Sequence, residues 1–279
     1  MFKFKKIYIE LSDICGLHCS FCPNPKNIRK VMPINLFQKA CEQSVGLCEY
    51  IALHILGDPC KLDDLKDYLM IAQNYGLKVD LVTSGFYLYQ DNFDLLLDPP
   101  IHQLSISLNA GFDVFNPQKK YYLQTIFELC HYKILKDTSG FINLRIQDST
   151  LDDLSGMKEL ILEEFNVFDR TQQKRFRLGK KVFLNITKTF QWAKINPQKT
   201  PSFSKYCYGL ISQVGILADG TVVPCCIDVS GKINLGNLNS QDLIDILTSK
   251  RASNIREGFL AHKAVEELCA HCQYPAKRG

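Results

Sequence analysis

Cys15-Gly16-Leu17-His18-Cys19-Ser20-Phe21-Cys22 puts three thiols within eight residues, directly after the β-branched, apolar run at residues 6–12. Such a run bounded by loop residues reads as a buried strand. In parallel α/β folds the loops at the carboxyl ends of strands carry the active site. Three cysteines on one such loop can converge on a single centre, and thiolates select zinc or iron–sulfur. A four-iron cubane held by three cysteines keeps one iron open. An open position marks a catalytic rather than a structural site, by the logic that separates zinc sites. The same residues also read as a zinc loop completed by His18, or as buried cysteines without a metal. His18 itself reads as a packing residue.

Outward from this stretch, strand-like runs at residues 50–56, 77–83, 102–108, 141–146 and 181–186 alternate with helical spacings at 36–48, 62–75, 91–97, 121–134 and 154–165. Strands separated by helices imply right-handed βαβ crossovers and a parallel sheet. Six repeats fit a partial (β/α)6 TIM-like barrel over residues 1–193. The pattern then breaks. Residues 194–204 hold two prolines and several polar residues and read as a linker. Beyond it, two short strand runs flank Ala218-Asp219-Gly220, and an Asp-Gly pair suits a tight hairpin turn. Ser240 is the expected N-cap of a helix with Leu243, Ile244, Ile246 and Leu247 as its apolar stripe and Lys250 and Arg251 at its C-terminal end. The expectation is a small C-terminal α/β domain over residues 200–279, too small to hide much core alone, so a metal staple would help it.

That unit carries a second thiol set. Cys207 precedes the hairpin and Cys225 ends it, and an antiparallel return brings both to one end. Cys269-x2-Cys272 closes a set of four, which suits an iron–sulfur cluster or a zinc ribbon. Cys41, Cys48, Cys60 and Cys130 have no partner spacing and read as small apolar residues.

Twelve cysteines without an N-terminal targeting segment point to a reducing compartment, where thiols are ligands or buried rather than paired. A cytoplasmic location is expected, and no apolar run is long enough for a membrane span. The net charge of +4 is spread along the chain. Lys26, Arg29 and Lys30 form a mild basic group and Lys174, Arg175, Arg177, Lys180 and Lys181 a denser one. Both read as solvated surface, so nucleic acid is not an expected partner.

The spacing Cys-x3-Cys-x2-Cys, with the aromatic Phe21 before the third cysteine, resembles the signature of the radical S-adenosylmethionine superfamily. The resemblance runs along the barrel. Gly57-Asp58-Pro59 is similar to the family's Gly-Gly-Glu-Pro segment, in shortened form. Thr83-Ser84-Gly85 stands where Thr-Asn-Gly is usual. Ser105-Ile106-Ser107-Leu108-Asn109-Ala110 is similar to the Ser-Leu-Asp segment, with Asn109 for the aspartate. The stretch from Gly209 to Cys226 resembles the opening of the SPASM and twitch extensions. No cysteine follows Cys272, which favours the shorter twitch form with one auxiliary cluster, and the Gly-x4-Cys register selects Cys225 over Cys226.

The resemblance implies a [4Fe–4S] cluster on Cys15, Cys19 and Cys22 whose open iron chelates S-adenosylmethionine. It places Phe21, Gly57, Asp58, Pro59, Ser84, Ser107 and Asn109 around that cofactor. Arg145 in the fifth strand would meet a cofactor or substrate carboxylate, or sit in a structural ion pair. An auxiliary [4Fe–4S] cluster would sit on Cys207, Cys225, Cys269 and Cys272. A flavodoxin or ferredoxin would supply the electron that cleaves S-adenosylmethionine to a 5′-deoxyadenosyl radical. That radical would take hydrogen from a small molecule or a peptide. Asp228 is a candidate base, with a solvated loop aspartate as the alternative. Two other classes stand beside this one: a radical enzyme acting on RNA, and a non-enzymatic iron–sulfur or zinc protein. His54 reads as a satisfied core histidine or a site residue. Trp192, Tyr206 and Tyr208 read as domain packing or the wall of a cleft.

Overall fold

Lys6–Ile9 forms β1, which buries Ile7 and Ile9 on one face and turns Lys6 and Tyr8 to the other, the period of a pleated strand. The computed structural model describes residues 2–23, 31–117, 120–148, 153–168, 174–188 and 191–274. Along it follow α1 (Ile34–Ser44), β2 (Tyr50–Leu53), α2 (Leu65–Asn74), β3 (Lys78–Thr83), α3 (Phe93–Leu97), β4 (Ile101–Ser107), α4 (Tyr122–Lys136), β5 (Phe141–Asp148), α5 (Asp153–Glu164), β6 (Arg175–Gly179) and β7 (Val182–Lys188). The chain continues with β8 (Gln213–Ile216), β9 (Thr221–Val223), β10 (Gly236–Asn237), α6 (Leu243–Thr248), α7 (Lys250–Leu260) and α8 (Glu267–His271).

The strands form one sheet in the order β10-β9-β8-β1-β2-β3-β4-β5-β7-β6. β1 through β5 and β7 run parallel, as the alternation with helices requires. Ile7, Ile51, Leu81, Leu104, Leu144 and Leu184 are fully buried in its main core. Polar side chains beside them in sequence, such as Ser105, Asn143 and Arg145, line the opposite, inner face. The order has two ends, so this is a partial barrel.

Three local features differ from the sequence reading. The denser basic group keeps Lys174, Arg175, Arg177 and Lys180 exposed, as expected, but on and beside an unexpected element, β6, an antiparallel edge strand paired to β7. There Lys180 pairs with Asp137 at 2.5 Å, and Arg175 stacks its guanidinium 3.9 Å from the Phe183 ring centre. Charge on an edge strand discourages pairing with a second sheet. Lys26, Arg29 and Lys30 lie outside the described residues. The expected single helix after Ser240 is two. α6 starts after Asp242 and stops at Ser249, whose side chain accepts from the Ala252 amide and caps α7. Lys250 and Arg251 therefore begin a helix rather than end one. Among the described residues no helix is long and apolar enough to cross a membrane.

The C-terminal hairpin extends the barrel's own sheet. β8 pairs in parallel with β1 from Lys6↔Gln213 to Ile9↔Ile216. The carboxylate of the fully buried Glu10 accepts from the Ala218 amide at 3.0 Å at the hairpin turn. Val222, Leu243, Ile246 and Phe259 belong to the same apolar cluster as Ile7 and Phe37. On the outer side, Lys39 of α1 donates to the carbonyls of Leu238 and Gln241. A unit with little core of its own thus completes one on the barrel.

Candidate cofactor site and auxiliary thiol site

The loop after β1 carries Cys15, Cys19 and Cys22, and it has no regular structure of its own. Neighbouring loops hold it from both sides. From the side of β2, Gly57 packs so closely that a Cβ there would lie 2.1 Å from the Ser12 carbonyl oxygen, at a φ of +67°. Only glycine meets both demands. Asp58, the next residue, is 1% exposed. Its carboxylate accepts from Thr83 Oγ1 at 3.0 Å, from the Ser84 amide at 2.7 Å, from Ser84 Oγ, and from the Cys60 amide at 3.0 Å. Burial raises the Asp58 pKa, and these hydrogen bonds oppose the rise. The short Gly-Asp-Pro turn is thereby tied to Thr83-Ser84-Gly85 at the end of β3. Tyr87, just beyond, donates to the Cys15 carbonyl at 2.5 Å.

From the side of β4 comes a second grip, absent from the sequence reading. Asp113 accepts from the Ser20 amide at 2.8 Å and from Ser20 Oγ at 2.7 Å. Asn116 accepts from the His18 amide at 2.7 Å and donates to Cys19 Sγ at 3.1 Å and to the Ala110 carbonyl at 2.7 Å. Both residues are nearly buried. The signal available was two polar residues of turn type soon after a strand end, which is common in solvated loops. His18 contributes its backbone here. A third hold comes from Trp192, whose Nε1 donates to the Phe21 carbonyl at 2.9 Å.

Ser107 ends β4, and Asn109 follows on a short 3₁₀ turn. Asn109 exchanges two hydrogen bonds with the Gln147 backbone, at 3.1 Å and 2.7 Å. Its amide therefore pins the end of β4 to β5. Cys22 and Phe21 line an open cleft with Trp192, Asn196, Lys199 and His271. The three thiols sit near enough for Cys19 and Cys22 to raise the pKa of Cys15, which burial and Asp58 push up to about 12. Burial likewise raises Cys19 and Cys22. A metal-bound thiol is deprotonated outright, so ligation here requires the charge of the metal.

The second set of thiols borders a common hollow. Cys207, Cys225, Cys269 and Cys272 all line one largely apolar hollow, with Pro224 and Ile233 beside them. Burial raises the Cys207, Cys225 and Cys269 thiols, and nearby thiols in the set add to it. Four soft donors around one water-poor hollow suit an iron–sulfur cubane or zinc. Among the described residues no three His, Cys, Asp or Glu side chains converge as around a bare ion. What the four thiols share is the wall of that hollow. Cys226 turns away from it toward Tyr8, and burial raises its thiol to about 12.

Asp228 is not a solvated loop aspartate. It is 3% exposed and accepts from the amides of Lys232 at 2.9 Å and Ile233 at 2.7 Å and from Ser230 Oγ at 3.4 Å. Both oxygens are committed to the loop after Cys225, so it shapes the hollow and is poorly placed as a mobile base. Cys41 and Cys130 are fully buried, in keeping with an apolar role.

Residues 207–273 match the family model of SPASM, an iron-sulfur cluster-binding domain. Among solved structures, BtrN in complex with AdoMet and 2-DOIA is 17% identical, with 98% of this chain and 94% of that chain covered and a TM-score of 0.60. SuiB of Streptococcus suis bound to the precursor peptide SuiA is 14% identical, with coverages of 91% and 67% and a TM-score of 0.64. Native anSMEcpe with bound AdoMet and a peptide is 12% identical, with coverages of 96% and 88% and a TM-score of 0.61. The chain has the fold of the radical S-adenosylmethionine enzymes, with a SPASM domain at its C-terminal end. The SPASM match runs through both CxxC cysteines, Cys269 and Cys272, which belong equally to the one-cluster twitch form expected from the sequence. In this SPASM domain the hairpin between Cys207 and Cys225 is fixed by the pairing of β8 to β1, and Cys269 lies on α8 with Cys272 as its C-cap.

Two measurements check this geometry. Asp58→Ala leaves the Ser84 amide and the Thr83 hydroxyl without their acceptor, and is expected to cost about 3 kcal/mol. The urea midpoint of the metal-free protein reads it. His54 tests the inner face. Burial, then the charges of Arg145 and Lys6, push its imidazole down to about 3. A histidine lowered on folding adds stability above its ordinary value of roughly 6.5 and loses it as the pH falls toward its folded pKa. Stability should therefore decline below about pH 6.5, and His54→Gln should flatten that decline by up to roughly 1.4 kcal/mol per pH unit.

Proposed function

We propose that this protein is a radical S-adenosylmethionine enzyme, an oxidoreductase or peptide maturase, with one auxiliary cluster. The observation that carries the reading is the loop of Cys15, Cys19 and Cys22. It sits at the carboxyl end of a parallel sheet and is clamped between Gly57-Asp58 on one side and Asp113 and Asn116 on the other. When bound, a cubane on these thiols and S-adenosylmethionine supply one-electron reductive cleavage to a hydrogen-abstracting 5′-deoxyadenosyl radical.

The chain's own residues do the rest. Cys15, Cys19 and Cys22 would hold the cluster, and the Gly57-Asp58-Pro59 turn, packed against the same loop, offers its backbone to the cofactor. Thr83 and Ser84 keep that turn in place through Asp58. Asn116 donates an N–H to the Cys19 sulfur, the kind of contact that tunes a cluster's potential. Trp192 holds the Phe21 carbonyl, which fixes the loop at the wall of the open cleft. The four thiols of the SPASM domain would hold an auxiliary [4Fe–4S] cluster, which would supply a one-electron redox centre. A flavodoxin or ferredoxin is the electron donor that this chemistry calls for. The structures of similar fold hold a small molecule, 2-DOIA in BtrN, and peptides in SuiB and anSMEcpe. Both substrate kinds are compatible with this reading.

Anaerobic reconstitution should load about eight irons per chain, from two four-iron clusters, and reduction should release 5′-deoxyadenosine. Cys269→Ala should lower the count to about four. Cys15→Ala should abolish 5′-deoxyadenosine formation. A count near four with one zinc removes the auxiliary cluster. No 5′-deoxyadenosine from the intact protein removes the enzyme.

A further inference from the structure

The inner face of the sheet carries polar groups that neither thiol set uses. Arg145 on β5 stands in register with Asn185 of β7, and Asn185 with Arg175 of β6. These three line one open pocket with Gln103, Asn143 and His102. Its described lining holds two guanidiniums, an imidazole, amides and hydroxyls, and no carboxylate.

Arg145 is the unusual member. Among the described residues its guanidinium makes no hydrogen bond and no ion pair, so the structural ion pair weighed from sequence is absent. Its surroundings are close enough that desolvation lowers its pKa. Asp80, the buried acid of β3, is already committed to Lys6 and to His102, the latter at 3.1 Å. Arg145 is half-buried in this open pocket, with Tyr8 near it and no acid partner among the described residues, which leaves its guanidinium available to an anion. Nearby, His54 Nδ1 is also buried without a partner. The amides do not relieve Arg145 either: Asn185 donates to Asn143 at 2.9 Å, and Gln103 donates to Ser105 at 3.2 Å. A planar fork of donors matches an anionic oxygen group in two-pronged fashion.

We propose that this pocket binds an anionic group of the substrate, a carboxylate or a phosphate, held by Arg145 with Asn185 beside it and Arg175 at the mouth. The pocket runs from Arg145 toward His102 and Phe141 at the amino ends of β4 and β5, away from the cysteine loop at the carboxyl ends. An anion held there would sit on the inner face of the sheet, apart from the cleft lined by Phe21 and Cys22. This deepens the proposed radical chemistry and rests on it: it makes the substrate an acid rather than a neutral sugar or an uncharged peptide segment.

The test is isothermal titration calorimetry of the reconstituted protein at low ionic strength, with inorganic phosphate and with succinate as separate probes. One of the two should bind near one per chain, and which one tells phosphate from carboxylate. Arg145→Gln should weaken it at least tenfold, Arg145→Lys less, and Arg175→Gln, at the exposed mouth, about threefold. Saturating S-adenosylmethionine should leave the binding in place. The inference is overturned if neither probe binds, if both arginine-to-glutamine variants bind as the parent does, or if S-adenosylmethionine displaces the probe, which would give Arg145 to the cofactor. If binding fails in protein that still forms 5′-deoxyadenosine, the anion pocket falls alone. If binding holds in protein that forms none, the pocket stands and the radical reading falls.

Discussion

The buried carboxylate of Asp58 is the point where the ends of two strands are tied together. It gathers four donors from the turn after β2 and the turn after β3, and the turn it holds is pressed by Gly57 against the Ser12 carbonyl. Among its described residues the loop with the first three cysteines has one isolated bridge, Ser12↔Val31, and no strand of its own. Its shape is borrowed from that knot and from Asp113 and Asn116 at the end of β4. A buried carboxylate is costly unless its acceptors are filled, so the knot forms as a unit or not at all. That cooperativity gives the loop that carries Cys15, Cys19 and Cys22 a fixed neighbour on the β2 side.

The same economy governs the C-terminal SPASM domain. Its helices and hairpin are too few to enclose a core, so β8 continues the sheet at β1 and α1 receives the domain's outer side. The two thiol sets are thereby fixed to opposite ends of one strand pair's neighbourhood: β1 leads into the first loop, and its partner β8 leads into the hairpin that ends at Cys225. Asp228 then shapes the wall of the second hollow by capping its own loop.

Much of this was legible in the sequence because it depends on periodicity and spacing. Apolar, β-branched runs alternating with helical spacings gave the parallel strands, and the cysteine spacings singled out both sets of thiols. What stayed illegible depends on contacts distant in sequence. Asp113 and Asn116 look like any turn residues until Ser20 and His18 stand against them. The basic run at 174–181 became an edge strand because its alternate residues, Phe176 and Leu178, are buried. Ser249 broke a helix that charge patterning alone had extended, since its hydroxyl serves the Ala252 amide. Asp228 read as exposed because nothing local announces that two amides downstream will close on it.

The central claim is that Cys15, Cys19 and Cys22 hold a cubane with one iron open to S-adenosylmethionine. Electron paramagnetic resonance of the dithionite-reduced protein, with all four SPASM thiols replaced by alanine, tests it most directly. The account predicts a single [4Fe–4S]⁺ signal whose g-values shift when S-adenosylmethionine is added. A signal that does not change on addition, or no cluster signal at all, would contradict it.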